Sequence, residues 1–312
     1  MHHHARGATR GPAQRPACAA ARPQVFQARA LRTSVQRAPA GVIGPLTQIE
    51  SLSAEHLAEL RGARSFSFDC EGVGLTREGP VCIVTLATES ICFVFDVLKS
   101  ERTPGAVALL KELLKAPGVT KIIHDAKMDV DALHHQLGIT PVALHDTQAW
   151  DQVLTGNRSN LNTTLERYHC TPIAERSKDL YRGNPVIWAT RPLPQSLVDY
   201  ASGDVTSLLD LAQKQRAKAG EGTPTKTQCV AASKTSGELC KKRMARVLVS
   251  DKRRMIGLKG SNLRKLEAKV PGSFFQLRDT TDARTGQRYN VLVYADSKAQ
   301  LAKAVKLTSP YC

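Results

Sequence analysis

The sequence predicts an α/β domain over residues 46–216 and a small α+β domain of order β-α-α-β-β-α over residues 243–308, joined by a linker at 217–242. Three observations carry this reading. Residues 65–71 alternate with period two and lead into two further apolar runs at hairpin spacing. A short apolar run at 121–124 opens directly into a helical stretch. Beyond residue 242 both the residue pattern and the charge change.

Composition limits the function classes first. With 312 residues and 42% hydrophobic content the chain can bury a core, which excludes wholesale disorder. It holds no run of about eighteen apolar residues, which excludes a membrane-spanning helix. Eight cysteines without a Cys-x-x-Cys pair are not a disulfide framework and suit a reducing compartment. The net charge of +16 is unevenly spread: +7 over residues 1–49, −1 over 50–242 and +10 over 243–312. A polyanion is therefore the expected partner of the last segment.

Residues 1–45 are rich in Ala, Arg, Pro and Gln, and the chain has no acidic residue before Glu50. Arginines spaced among Ala, Ser and Thr have the composition of an organelle transit peptide, which directs the chain to a mitochondrion or chloroplast. The other reading is a disordered arm that touches nucleic acid, in a cytoplasmic or nuclear protein.

Ser53 ahead of Ala-Glu-His-Leu-Ala-Glu-Leu is a helix start. In the strand Ser65-Phe-Ser-Phe-Asp-Cys-Glu71, Asp69 and Glu71 share one side while Phe66 and Phe68 face a core on the other. Cys70 reads as a small buried residue. Strands 81–87 and 91–97 follow. Two acids on one face of an apolar strand raise each other's pKa, and a divalent cation compensates them; alternatively they are edge carboxylates in water. Lys121-Ile-Ile-His124 is the next strand, and the helix after it carries Asp125 and Asp129 on a shared face, with Asp131 pointing elsewhere. Further on, Tyr200 and Asp204 stand one helical turn apart. A tyrosine hydroxyl so placed can hold a water beside a cation bound to the carboxylate.

Asp69-x-Glu71, then His124-Asp-xxx-Asp129, then Tyr200-xxx-Asp204 resembles the DEDDy 3′-5′ exonucleases, in the order and spacing of ribonuclease D and the Werner exonuclease domain. Asp146-Thr-Gln and Trp188-Ala-Thr-Arg191-Pro192-Leu193 resemble further family segments, and Asn184-Pro-Val-Ile-Trp188 is similar to the Egalitarian and Exd1-like branch. The resemblance spans 46–216. It implies a ribonuclease H-like fold and phosphodiester hydrolysis with two Mg²⁺ or Mn²⁺ ions about 4 Å apart. Asp69 would bridge the ions, Glu71 and Asp204 would hold the ion that activates water, Asp129 would secure the other through its water shell, and Tyr200 would orient the nucleophile. Asp125 is the rival of Asp129; the family places the acid five residues after the histidine. Arg191 either pairs with an acid near the site or caps its loop. Glu175 and Asp179 read as solvated.

Residues 217–242 are small, polar and turn-forming, and Cys229 and Cys240 lack the partners of a zinc site. The last segment places Gly257-Leu-Lys-Gly260 between its first two helices, and this order resembles a KH domain. In such a domain Gly257, Leu258, Lys259 and Gly260 would clamp a nucleic-acid backbone, with Arg253, Arg254, Arg264 and Lys265 attracting phosphates. The combined expectation is a 3′-5′ exonuclease on single-stranded nucleic acid, RNA before DNA. The alternatives are a catalytically silent RNA-binding adaptor and an organellar DNA exonuclease.

Overall fold

The computed structural model describes residues 41–173, 184, 186–279 and 289–312. The transit-peptide reading up to residue 40, Glu175, Asp179 and residues 280–288 lie outside the described residues.

Among them the first domain is built in the order β1 (Gly41–Leu46), α1 (Ala54–Gly62), β2 (Ser65–Gly72), β3 (Val81–Ala87), β4 (Ile91–Asp96), α2 (Pro104–Lys115), β5 (Thr120–Ile123), α3 (Lys127–Leu137), β6 (Leu144–Asp146), α4 (Thr147–Thr155), α5 (Leu161–Arg167), α6 (Gln195–Thr206) and α7 (Leu208–Ala219). The strands form a mixed sheet in the order β1-β4-β3-β2-β5-β6. β2, β3 and β4 are an antiparallel meander, and β1, β5 and β6 pair parallel to their neighbours. This is the α/β architecture expected from the alternation of apolar strands and helices.

Sheet faces follow from the period of two. Phe66, Phe68 and Cys70 pack into a core with α2 and α3. Ser67 faces the other way and donates to Val205 O of α6 at 2.7 Å. Cys82, Ile83 and Val94 pack there against Leu197, Val198 and Ala201 of α6. Every residue of β3 is buried, as helices cover the sheet on both sides.

Two stretches differ from the sequence reading. The sheet begins at Gly41, within the segment read as a leader, because β1 pairs with β4 from Gly41–Ile91 to Leu46–Phe95. Its two glycines and one proline show no alternation, so only a waiting sheet edge selects it as a strand. The stretch read as a linker contains a helix, α8 (Pro224–Gly237), capped by Thr223, whose side chain accepts from Lys226 N–H. The turn-forming Thr-Pro pair is thus an N-cap and first helical position. Ser233 accepts hydrogen bonds from Asp146 N–H (2.9 Å) and Trp150 Nε1–H (3.0 Å). A Cβ on Gly237 would come within 2.6 Å of Leu144 Cδ1, so small residues let this helix lie close to β6 and α4.

The C-terminal module runs β7 (Arg243–Val249), α9 (Lys252–Ile256), α10 (Ser261–Lys269), β8 (Phe274–Asp279), β9 (Tyr289–Ala295) and α11 (Lys298–Lys306), with an antiparallel sheet in the order β7-β9-β8. Met255, Leu266, Phe275, Val291, Val293 and Ala304 form its core. The opposite sheet face carries Phe274, Leu292 and Tyr294, which pack with Leu239 and with Met128 of α3. Among the described residues no helix is long and apolar enough to cross a membrane.

The two parts are joined through Asp131 of α3, whose side chain is fully buried. Arg77, in the β2–β3 connection, donates to it from Nη2 (2.7 Å), Nε (3.1 Å) and its backbone N–H (2.9 Å). Tyr294 Oη–H of the C-terminal module donates to the same carboxylate at 3.4 Å. Arg77 Nη2 also donates to Lys242 O, and Arg246 pairs with Glu78. Arg77→Ala would remove the guanidinium from a buried carboxylate and leave it the backbone N–H and the Tyr294 hydroxyl, so a loss of about 3 kcal/mol in urea unfolding is expected. Arg77→Ala combined with Asp131→Asn should recover part of it.

Candidate nuclease site

The site forms where β2 runs past β5. Their ladder pairs Ser65 with Thr120 through Ser67 with Ile122. Beyond it, Cys70 N–H donates to Asp129 Oδ1 of α3 at 2.9 Å, so a carboxylate takes the position of the missing strand partner. Asp129 is buried to 6% exposure. Burial pushes its carboxyl well above the usual carboxylate range, against the pull of the Cys70 amide.

On the α6 side of β2, ligand oxygens of Asp69, Glu71 and Asp204 lie within 4.8 Å of one another, each residue partly exposed. The first two meet because the strand period puts them on one face. Asp204 reaches them from α6, whose Ser202, Val205 and Leu197 are buried against the sheet. Three carboxylates this close repel one another, and the hard oxygen set suits Mg²⁺ or Mn²⁺. The donor chemistry therefore fits the divalent cations expected from the sequence.

Tyr200 lies one turn before Asp204, its ring edge-on to Trp188 at 5.9 Å. Trp188 is held by its own loop: Arg191 donates to Trp188 O at 2.9 Å and forms a two-pronged pair with Asp96 of β4, one arm at 2.7 Å. Arg191 thus both pairs with an acid and caps the turn, but its acid is Asp96 and not a member of the cluster. Cys70 is buried, and burial first, then the neighbouring carboxylates, push its thiol up, so it packs as an inert residue.

Asp125 goes elsewhere. It accepts from Lys127 Nζ (2.7 Å) and Arg158 Nη2 (3.0 Å). Burial alone would raise its carboxyl, yet these two cations hold it at about 2. Its backbone adopts φ 62°, a left-handed conformation at the turn from β5 into α3.

In the C-terminal module Gly257 and Gly260 both have positive φ (67° and 76°), and a Cβ on Gly257 would meet Asn262 N at 2.9 Å. Leu258 is 84% exposed at the loop tip, beside exposed Arg253, Arg254, Arg264 and Lys265. The Lys259 side chain lies outside the described residues. The sequence reading passed over Lys127, Arg158 and Phe274, which meet between the two parts: Lys127 Nζ and Arg158 Cζ lie 5.4 and 5.7 Å from the Phe274 ring centre. No spacing in the sequence links three residues that far apart.

Residues 46–218 match the 3′-5′ exonuclease family. Rat exosome complex component 10 is 24% identical over 269 residues, 83% of this chain and 28% of its own length. Mouse piRNA biogenesis protein EXD1 is 32% identical over 163 residues, 46% of this chain and 28% of its own length. The chain thus spans under a third of these relatives. Among solved structures, Trypanosoma brucei RNase D superposes with a TM-score of 0.54 at 25% identity, covering 65% of this chain and 73% of that one. With the family match covering more than half of its residues and the carboxylates gathered at the end of β2, the chain belongs to the 3′-5′ exonuclease family.

Proposed function

We propose that the protein is a metal-dependent exonuclease that shortens single-stranded RNA from its 3′ end. The observation that carries this is the convergence of Asp69, Glu71 and Asp204 within 4.8 Å in a chain of this family. Two divalent cations would supply charge compensation for an attacking water and for the departing 3′ oxygen. Asp69, Glu71 and Asp204 are the residues to hold them. Asp129, fixed by the Cys70 amide, holds a buried carboxyl on the α3 side of β2. Tyr200, steadied by Trp188, offers a hydroxyl one turn from Asp204 to orient the water. RNA is favoured because similar proteins are named for RNA work, the RNase D and the piRNA biogenesis protein among them.

The C-terminal module acts as a KH-type RNA clamp in this proposal. Its element order, its positive-φ glycines flanking an exposed loop tip and its +10 charge support that role. The acid-free, arginine-bearing stretch ahead of β1 supports delivery to a mitochondrion or chloroplast.

With 5′-labelled single-stranded RNA and DNA of one sequence, Mg²⁺ or Mn²⁺ should produce a ladder shrinking from the 3′ end, faster on RNA. EDTA or Asp69→Ala should abolish it; cleavage by Asp69→Ala would overturn the site. In EDTA, Asp69→Asn should raise the melting temperature by about 2–4 °C, since one of three crowded charges is removed. The same variant should lose the stabilisation that Mn²⁺ gives the wild type. Replacing both Leu258 and Lys259 by Asp should weaken RNA binding about tenfold or more in fluorescence anisotropy. Unchanged affinity would overturn the clamp.

A further inference from the structure

A cavity of about 930 Å³ lies between the C-terminal module and the exonuclease domain. One wall is Lys127 at the start of α3 together with Gln148 and Arg158; the other is Gly260 and Arg264, with Phe274 closing it. We propose that this cavity binds a stretch of the single-stranded nucleic acid held by the C-terminal module, with its phosphates held by Lys127 and Arg158 on one side and Arg264 on the other. The proposal rests on the exonuclease reading above.

Charge is the first argument. Lys127, Arg158, Lys242 and Arg264 line the cavity with a single carboxylate, Glu267. Lys242 is committed to Gly272 O and Asp296. Glu267 accepts from Phe275 N–H at 3.3 Å, and burial pushes its carboxyl up. Asp125, just behind the wall, is one carboxylate shared by two cations. An excess of positive charge remains, and a polyanion is the ligand that neutralises it.

Position is the second. Gly260 belongs to the glycine loop, so one end of the cavity is the surface that would clamp a backbone. Lys127, at the start of α3, and Arg158 belong to the exonuclease domain, so the opposite wall comes from the other part of the protein. A strand leaving the loop along this wall runs between the two parts of the protein. Arrangement is the third. The Phe274 ring holds both cations by its negative face, which fixes them before any ligand arrives, and planar Arg158 offers a surface on which a base can stack. The volume is at the upper end of the range for small-ligand sites, about 300–1,000 Å³, which leaves room for nucleotides of a single strand.

The test uses the full chain carrying Asp69→Ala, in EDTA, with a fluorescein-labelled single-stranded RNA. Arg158→Ala and Arg264→Ala, on opposite walls, should each weaken binding about fivefold and lower the salt dependence by about one phosphate contact. Arg158→Lys should keep the salt dependence. 4-Thiouridine placed at successive positions from the 3′ end should cross-link to the peptide containing Phe274 at one set of positions. Unchanged affinity in both alanine variants at unchanged melting temperature would overturn the proposal. So would cross-links mapping only outside the cavity, or polyglutamate of equal charge binding as tightly as RNA. A wild-type chain that binds and cross-links in the cavity yet shortens no strand with any metal would support the binding path and overturn the exonuclease reading instead.

Discussion

The buried carboxylate of Asp131 sets the architecture around it. A charge with no exposure to water must be paired, and its partners come from opposite directions: Arg77 from the β2–β3 connection and Tyr294 from the C-terminal sheet. Satisfying that one group fixes the C-terminal module against α3. The module's second sheet face, with Phe274, Leu292 and Tyr294, is covered by the same contact, so the apolar and ionic requirements are met together.

α3 then serves three regions through residues a few positions apart. Asp129 turns toward β2 and meets the Cys70 amide. Asp131 turns toward Arg77 and Tyr294, and Lys127 faces the cavity beside Phe274. Helical geometry separates these directions by about 100° per residue, so one rigid element relates the carboxylates to the module. The site itself arises from a mismatch of strand lengths: β2 continues beyond its ladder with β5, and an acid occupies the vacancy.

Much of this was legible beforehand. Period two in residues 65–71 placed Asp69 and Glu71 on one side and Phe66 and Phe68 on the other, because a strand's alternation is a local property. The i, i+4 spacing of Tyr200 and Asp204 was equally local. The strand at Gly41–Leu46 was not legible, since its pairing is chosen by the open edge of β4. Nor was α8, whose serines and glycine look like a linker until Ser233 is seen to satisfy Asp146 N–H and Trp150 Nε1–H. The apolar run Val291-Leu-Val-Tyr294 carried an unread signal: a strand apolar on both faces has something on both.

By itself, then, the sequence determined which residues share a strand face or a helical turn, where charge accumulates and where glycine is needed, since each depends on neighbours in the chain. Tertiary structure alone decided that Asp131 finds Arg77 and Tyr294, that Ser233 meets Asp146 and Trp150, and that Arg158 meets Phe274. Those outcomes depend on sheet order and on which buried charge finds which partner, and both are set by long-range packing that no residue spacing encodes.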